Sequence, residues 1–313
     1  MAAPKKKWPL LKARYLEHLK VLGFAERTIE GHESYLRYFL EYLEKETKVQ
    51  DLSELAHEDL AAYQTWLYYA KSRRQEDRPL GLSAQAERLM VVQVFFRYLF
   101  KEGFLLYDPA ASLEKPKCSR SLPRGILDPP QVLALLKTPD VRTPIGIRDR
   151  AMLELFYATG IRNTELITLR VRDLDLASGQ AAVTGKGNKE RLVPLGRIAL
   201  NWLLRYLQDA RPLLVAGAGP DTIFVSHSGR SLDRANLAKI ISRHAKRAGI
   251  AQHITPHSLR HTCATHLLQA GADIRYIQAL LGHNSLMSTQ VYTRVDITDL
   301  KKVHAAFHPR ENA

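Results

Sequence analysis

The chain has 313 residues, 45% of them hydrophobic and 25% charged, which is typical of a folded globular protein and excludes a disordered or fibrous one. Its formal net charge of +14 favours a polyanionic partner, because clustered cations attract nucleic acid and release its counterions. No apolar run approaches the roughly 18 to 20 residues that cross a bilayer, the start MAAPKKKWPLLKARY lacks a signal-peptide pattern, and two cysteines exclude a disulfide framework. We therefore expect a soluble, cytoplasmic protein with no membrane contact.

The first hundred residues carry apolar side chains at helical spacing. The pattern runs through 11–22, 29–43, 55–67 and 89–99, and Gly103 is placed to end the last segment. It predicts four or five helices in a small bundle over residues 1–107. Five prolines interrupt residues 108–130 and disfavour regular structure, so we predict a linker over 108–127.

Residues 128–313 mix helical and strand patterns. Asp128 is a predicted N-cap with Pro129 in the first turn, and the helical pattern of 146–158 should end at Gly160. The runs QAAVT and RLVPL flank GKGNKE and predict a β-hairpin over 180–195, followed by helices over 236–248 and 256–269. We therefore predict a mainly α fold, in which a helical bundle precedes a mixed α/β domain with a small β-sheet or hairpin.

The positive charge is concentrated in this second part. Residues 1–117 carry 19 Lys and Arg against 17 Asp and Glu, whereas residues 118–313 carry 27 against 15. In TPHSLRHTCATHLL, Thr255 can cap a helix whose free N–H groups favour an anion, and His257 and Arg260 share one face of that helix. In ATGIRNTEL, Glu165 can orient Arg162. Two such guanidiniums could clamp both non-bridging oxygens of one phosphodiester.

Three further residues complete a candidate phosphoryl-transfer site. Lys186 at the hairpin tip is suited to giving a proton to a leaving alkoxide, and His283, just after the helix stop Gly282, would be a fixed donor. A tyrosine hydroxyl has a pKa of about 10 and is a poor nucleophile at neutral pH. Cations around the phosphate and a nearby imidazole could make Tyr292 reactive.

Each of these residues also has a simpler explanation. A lone tyrosine most often packs in a core, and Arg162 with Glu165 fits an exposed helix pair of little energetic weight. A lysine beside Lys189 and Arg191 fits a hairpin that only faces DNA. The helices around Gly271 resemble a helix-turn-helix, which would indicate a regulator without catalysis.

Taken together, ATGIRNTEL, TGKGNKERLVPL, TPHSLRHTCATHLLQAGADIRYIQALLGH and STQVYTRV resemble the tyrosine recombinase family, most closely its Xer-type bacterial members. The match spans about residues 148–310, including the final HPR, with order and spacing intact. The resemblance implies a C-shaped clamp on duplex DNA. Its parts would be a helical, SAM-like core-binding domain over 1–107 and a catalytic domain over 128–313.

The same resemblance implies the roles of the candidate residues. Those placed in the active site are Arg162, Lys186, His257, Arg260, His283 and Tyr292, supported by Glu165. The two arginines would hold the scissile phosphate, and the lysine would be the general acid for the 5′-hydroxyl leaving group. His257 would assist proton transfer, His283 would hydrogen-bond the phosphate, and Tyr292 would attack to give a 3′-phosphotyrosine. The family uses no metal and no nucleotide cofactor.

The implied partner is double-stranded DNA with paired recombination sites. A homo- or hetero-tetramer would exchange strands through a Holliday junction to resolve chromosome or plasmid dimers, with a second recombinase or a DNA translocase as further partners. The tail, about residues 296–313, would pack onto a neighbouring protomer, or alternatively onto its own body.

Three departures from the Xer pattern keep other roles open. They are the charged insertion KSRRQEDRPLGL between Tyr69 and Ser83, the helix segment MVVQVFF, and Arg294. An integrase or transposon recombinase of a mobile element is the main alternative. A type IB-like topoisomerase and a DNA-binding regulator without catalysis are the others.

Overall fold

The computed structural model describes residues 8–47, 49, 51–72, 75–117, 125–185, 189–215, 217, 219–282 and 296–311. The chain divides into two compact units, Met1–Arg120 and Ser121–Ala313, and each has a hydrophobic core of its own. Within the predicted linker, Ala110 and Leu113 are buried in the first core and Leu127 in the second. Within the described part of the chain, no helix has the length and apolar character that a membrane span needs.

The first unit is a helical bundle, as the apolar spacing predicts. Its helices are α1 Trp8–Val21, α2 Glu26–Glu46, α3 His57–Tyr69 and α4 Leu82–Lys101. Residues at spacings of three and four on α2 are buried, and Phe39 meets Tyr63 of α3 and Phe96 of α4 edge-on, at ring distances of 4.8 and 5.9 Å. Such aromatic contacts add to the burial of apolar surface that holds the bundle together.

The charged insertion forms a short hairpin that the sequence analysis did not predict. Its strands are β1 Lys71–Ser72 and β2 Gln75–Pro79, paired antiparallel. The stretch KSRRQEDRP has no alternation of apolar and polar residues, which is the pattern by which a strand is recognised.

The second unit surrounds one central helix. Its helices are α5 Pro129–Lys137, α6 Pro144–Thr159, α7 Asn163–Thr168, α8 Arg197–Arg205, α9 Arg211–Leu214, α10 Arg234–Arg247, α11 Pro256–Gln269, α12 Ile274–Leu281 and α13 Ile297–Phe307. Helix α6 is buried on every side from residue 151 to 159, as expected for a helix inside a core. It ends at Gly160, which has a left-handed φ of 56°. The predicted N-caps at Asp128 and Thr255 are confirmed.

A three-stranded antiparallel sheet lies beside these helices. Its strands, in spatial order, are β3 Leu174–Asp175, β4 Gln180–Thr184 and β5 Glu190–Pro194. The predicted hairpin is confirmed, with Ala182 opposite Leu192, and the short β3 adds an edge that was not predicted.

The C-terminal helix α13 packs onto its own unit. Leu300 lies in the core, and Val303 and Phe307 are half-buried against it. His304 Nε2 donates to the Ala158 carbonyl at 2.9 Å, which fixes α13 to the end of α6. Within this single chain the apolar face of α13 is covered by its own unit, which is the alternative given above, and packing onto a neighbouring protomer stays a prediction.

Candidate active site

Three arginine side chains converge on the end of helix α12. The last carbonyls there are those of Leu280, Leu281 and Gly282. They accept hydrogen bonds from Arg191 Nε at 3.0 Å, Arg260 Nη2 at 2.6 Å and Arg162 Nη2 at 2.7 Å, in that order. The final carbonyls of a helix lack partners inside the helix and carry its negative dipole end, so they favour cations. One helix end thus gathers groups from three distant parts of the sequence.

Arg162 is held at the start of α7. Its backbone N–H donates to Glu165 Oε2 at 2.7 Å and its Nη1 donates to Oε1 at 2.9 Å, so one carboxylate binds both its backbone and its side chain. The Glu165 side chain is 1% exposed, whereas that of Arg162 is 31% exposed. The predicted pairing is present, but the alternative of a solvated surface pair is wrong, because the carboxylate is buried. Arg162 keeps a face accessible to a ligand.

Arg191 is the site residue that the sequence analysis missed. It projects from β5 and donates Nη1 to Glu165 Oε1 at 2.8 Å and Nη2 to Oε2 at 2.9 Å. The alternation of side chains along β5 could have indicated it. Arg191 lies two residues before the buried Val193 and therefore faces the same side of the sheet.

Glu165 is saturated by cationic and backbone donors. Burial would raise the pKa of this carboxyl, but hydrogen bonds from Arg191 and Arg162 and the charge of Arg191 outweigh burial and lower the pKa to about 2. Four N–H groups occupy its two oxygens. The carboxylate is therefore ionised at neutral pH and orients both guanidiniums.

Arg260 lies deeper than Arg162. Its Nη1 donates to the Gly160 carbonyl at 2.6 Å, so it joins the end of α6 to the end of α12. Burial, with the nearby charge of Arg162, lowers the pKa of Arg260 to about 10, which leaves it cationic at neutral pH. His257 is exposed on the first turn of α11, and none of the described hydrogen bonds joins it to the arginine cluster.

Lys186, His283 and Tyr292 lie outside the described residues. The residues directly before the first two, Gly185 and Gly282, are described, and both touch the cluster. A Cβ on Gly185 would lie 3.3 Å from Glu165 Oε1, and one on Gly282 would lie 3.0 Å from the Arg191 guanidinium. The chain therefore enters both segments from the arginine cluster.

The described cluster has an excess of positive charge. The guanidiniums of Arg162, Arg191 and Arg260 surround the single carboxylate of Glu165. Such a site attracts an anion, and planar guanidinium forks match the oxygens of a phosphate. Among the described residues, no group of three or more His, Cys, Asp or Glu side chains is arranged to hold a metal ion.

The Phage integrase family model matches residues 126–298. The chain is 40% identical over 305 residues to tyrosine recombinase XerC 2 of Ralstonia nicotianae, covering 96% of this chain and 87% of that protein. It is 41% identical over 291 residues to tyrosine recombinase XerD of Listeria monocytogenes, covering 92% and 94% respectively. The solved structure of XerH site-specific recombinase bound to difH substrate, a pre-cleavage complex, is similar with a TM-score of 0.65 and 25% identity, covering 88% of this chain and 78% of that one.

Proposed function

The chain belongs to the phage integrase family as an Xer-like tyrosine recombinase, and from that premise we propose that it recombines DNA at specific sites through a covalent bond to Tyr292. The observation that carries the proposal is the placement of Arg162 and Arg260 on adjacent carbonyls of one helix end. Two guanidiniums so placed can hold one phosphodiester between them.

Both arginines keep donors for such a ligand. A guanidinium has five N–H groups, and the described hydrogen bonds use two from each of these side chains. The remaining donors would bind the non-bridging oxygens and stabilise the negative charge that builds there in the transition state. Burial of Arg260 strengthens this interaction because less water screens it.

Chemistry at the phosphate exchanges one ester bond for another. The Tyr292 oxygen bonds to phosphorus as the bond from phosphorus to the 5′-oxygen breaks. The phenolic proton passes to His257, and Lys186 gives a proton to the departing 5′-oxygen. His283 donates a hydrogen bond to the phosphate. A 5′-hydroxyl from the partner DNA reverses the sequence and reseals the strand.

The assembly would be four protomers on two paired duplex sites, working through a Holliday junction. The XerH complex with its difH substrate supports duplex DNA as the partner. We infer that residues 1–107 form the core-binding domain, that 128–313 form the catalytic domain, and that the enzyme acts in the cytoplasm on nucleoid DNA. Its role would be the resolution of chromosome or plasmid dimers, together with a second recombinase or a DNA translocase. The XerC and XerD relatives favour this role.

A suicide DNA substrate tests the chemistry. The wild-type protein should form a covalent adduct with it, and Tyr292→Phe should form none while still binding the site. An adduct that persists in Tyr292→Phe would contradict the assignment. Relaxation of supercoiled DNA without any paired site would indicate a topoisomerase, and tight binding without a trapped adduct would indicate a regulator. Recovering the covalently tagged DNA from cells would separate a chromosomal site from a mobile element.

A further inference from the structure

The Arg191 guanidinium is held by hydrogen bonds to two neighbouring residues. Three donors are used, two by Glu165 and one by the Leu280 carbonyl, and the side chain is 15% exposed. Arg162, by comparison, has twice that exposure. The two arginines share a carboxylate but have different surroundings, since one faces solvent and the other faces the protein.

The position of Arg191 links three parts of the site. It follows the hairpin tip that bears Lys186, it holds the carboxylate that orients Arg162, and it binds the end of α12 just before His283. We propose that Arg191 is a positioning residue for strand cleavage, acting through Glu165 to aim Arg162 at the scissile phosphate. This inference rests on the proposed function.

The charge of Arg191 has a second consequence. Glu165 paired with Arg162 alone would neutralise the cation that must attract the phosphate. With Arg191 as a second partner, the carboxylate is balanced and Arg162 retains its attraction for an anion. Glu165 is thus held in place, and Arg162 keeps its positive charge for the phosphate.

Lysine cannot replace Arg191 in this role. The guanidinium spans both Glu165 oxygens with Nη1 and Nη2 while Nε reaches Leu280, whereas an ammonium has one nitrogen. The guanidinium plane of Arg191 also lies close against Gly282. A Cβ on Gly282 would come within 3.0 Å of Arg191 Cζ, Nε and Nη1. Arg191→Lys therefore keeps the charge and loses the geometry.

The test compares two linkages at the cleavage site of one suicide duplex. One is the natural phosphodiester. The other is a methylphosphonate, in which a methyl group replaces one non-bridging oxygen and removes the negative charge. A poorly aimed Arg162 matters less for a neutral linkage, whereas a general loss of structure slows cleavage of both equally.

We expect the affinity of Arg191→Lys for the duplex to stay within about twofold of wild type. We expect it to cleave the phosphodiester about 10- to 100-fold more slowly than wild type. On the methylphosphonate its rate should return to within about threefold of wild type, as for Arg162→Ala. Arg142→Lys is the matched control, since that side chain is 88% exposed and pairs with Asp140 before α6. Wild-type cleavage of the phosphodiester is required first, because its absence would contradict the proposed function rather than the role of Arg191.

A second variant gives an independent result. Glu165→Gln removes the carboxylate that Arg191 and Arg162 share, so the double variant with Arg191→Lys should cleave no more slowly than the slower single variant. Multiplicative rate losses would overturn the proposal. The proposal would also be overturned if Arg191→Lys cleaved both linkages equally slowly, or if it cleaved the phosphodiester at the wild-type rate.

Discussion

Arg310 binds the buried carboxylate of Glu154 through two donors, Nε to Oε2 at 3.0 Å and Nη2 to Oε1 at 2.6 Å. Glu154 lies on α6 and also accepts two hydrogen bonds from Arg150. The C-terminal segment is thereby bound to the central helix of its unit. The arrangement repeats that at Glu165, since in both places one buried carboxylate holds two guanidiniums.

Removing Arg310 should loosen helix α13. Arg310→Ala leaves Glu154 buried with Arg150 as its one guanidinium partner, which we expect to cost about 2 to 3 kcal/mol of local stability. Amide hydrogen exchange in α13 should then be roughly 30- to 140-fold faster. Lys302→Ala, at an exposed position on the same helix, is the control and should leave exchange unchanged. Equal rates in the two variants would show that the Glu154 contact does not hold the tail.

Acid should weaken the same attachment through two stacked imidazoles. The rings of His304 and His308 lie 4.5 Å apart and are buried. His308 Nε2 donates to the Tyr157 carbonyl and its Nδ1 accepts from Arg310 N, so the ring is neutral. Burial lowers the pKa of both, and for His308 the charges of His304 and Arg310 lower it further.

The direction of the pH effect follows from these lowered pKa values. The unfolded chain binds protons at a pKa of about 6.5, whereas the folded state does not, so stability is complete above that pH and falls as the pH drops below it. Urea midpoints of the wild type should therefore decline from pH 7 to pH 5 more steeply than those of His308→Gln, whose amide can still donate to Tyr157. His227→Gln, at an exposed position, is the control. Parallel slopes for wild type and His308→Gln would contradict the prediction.

Two glycines with similar backbone angles should respond differently to alanine. Gly160 has a φ of 56°, and a Cβ there would lie 2.8 Å from Leu281 Cδ2 and 3.2 Å from Cys263 Sγ. Gly249 has a φ of 70° with nothing within 4 Å of its Cβ position. Both substitutions should cost about 1 to 2 kcal/mol of unfolding free energy for left-handed strain. Gly160→Ala should cost about 1 to 3 kcal/mol more from overpacking.

The difference should extend to catalysis. The Gly160 carbonyl accepts from Arg260, so a displaced Gly160 displaces a proposed phosphate ligand. Adduct formation on the suicide substrate should slow in Gly160→Ala and remain at the wild-type rate in Gly249→Ala. Equal denaturation midpoints and equal cleavage rates for the pair would show that Leu281 and Arg260 tolerate the added methyl group.

Local features of this fold could be predicted from the sequence because their causes are local. Caps at Asp128 and Thr255 depend on a side chain and a backbone N–H three residues away. The helix end at Gly160 depends on one positive φ, and the β4–β5 hairpin depends on two alternating runs around a polar tip. Each signal lies within a few residues of its effect.

The burial of Glu165 and its pairing with Arg191 could not be predicted in this way. Their hydrogen bonds join α7 to β5 across 26 residues, and the apolar periodicity of neither element specifies the other. The same limit applies to α13, whose spacing of Leu300, Val303 and Phe307 predicts a helix with an apolar face but not the surface that covers it. Such features follow from tertiary packing.

The choice of Lys186 rather than Lys189 as the general acid is the remaining prediction. Gly185 lies against Glu165 and Arg162, and its N–H donates to the Lys189 carbonyl at 2.8 Å, so the hairpin tip begins at the cluster. Lys189, whose carbonyl accepts this hydrogen bond, is exposed. We therefore predict that Lys186, which follows Gly185 in the sequence, gives the proton to a leaving group held by the arginines.

A substrate with sulfur in place of the 5′-oxygen leaving atom distinguishes the roles of the two lysines. A 5′-phosphorothiolate linkage releases a thiolate, which departs without a proton because its conjugate thiol is far more acidic than an alcohol. Lys186→Ala should cleave the natural linkage about 100-fold or more below wild type and the phosphorothiolate at close to the wild-type rate. Lys189→Ala should show no selective rescue. Rescue of Lys189→Ala with none for Lys186→Ala would reverse the assignment, and rescue of neither would place the proton donor elsewhere in the site.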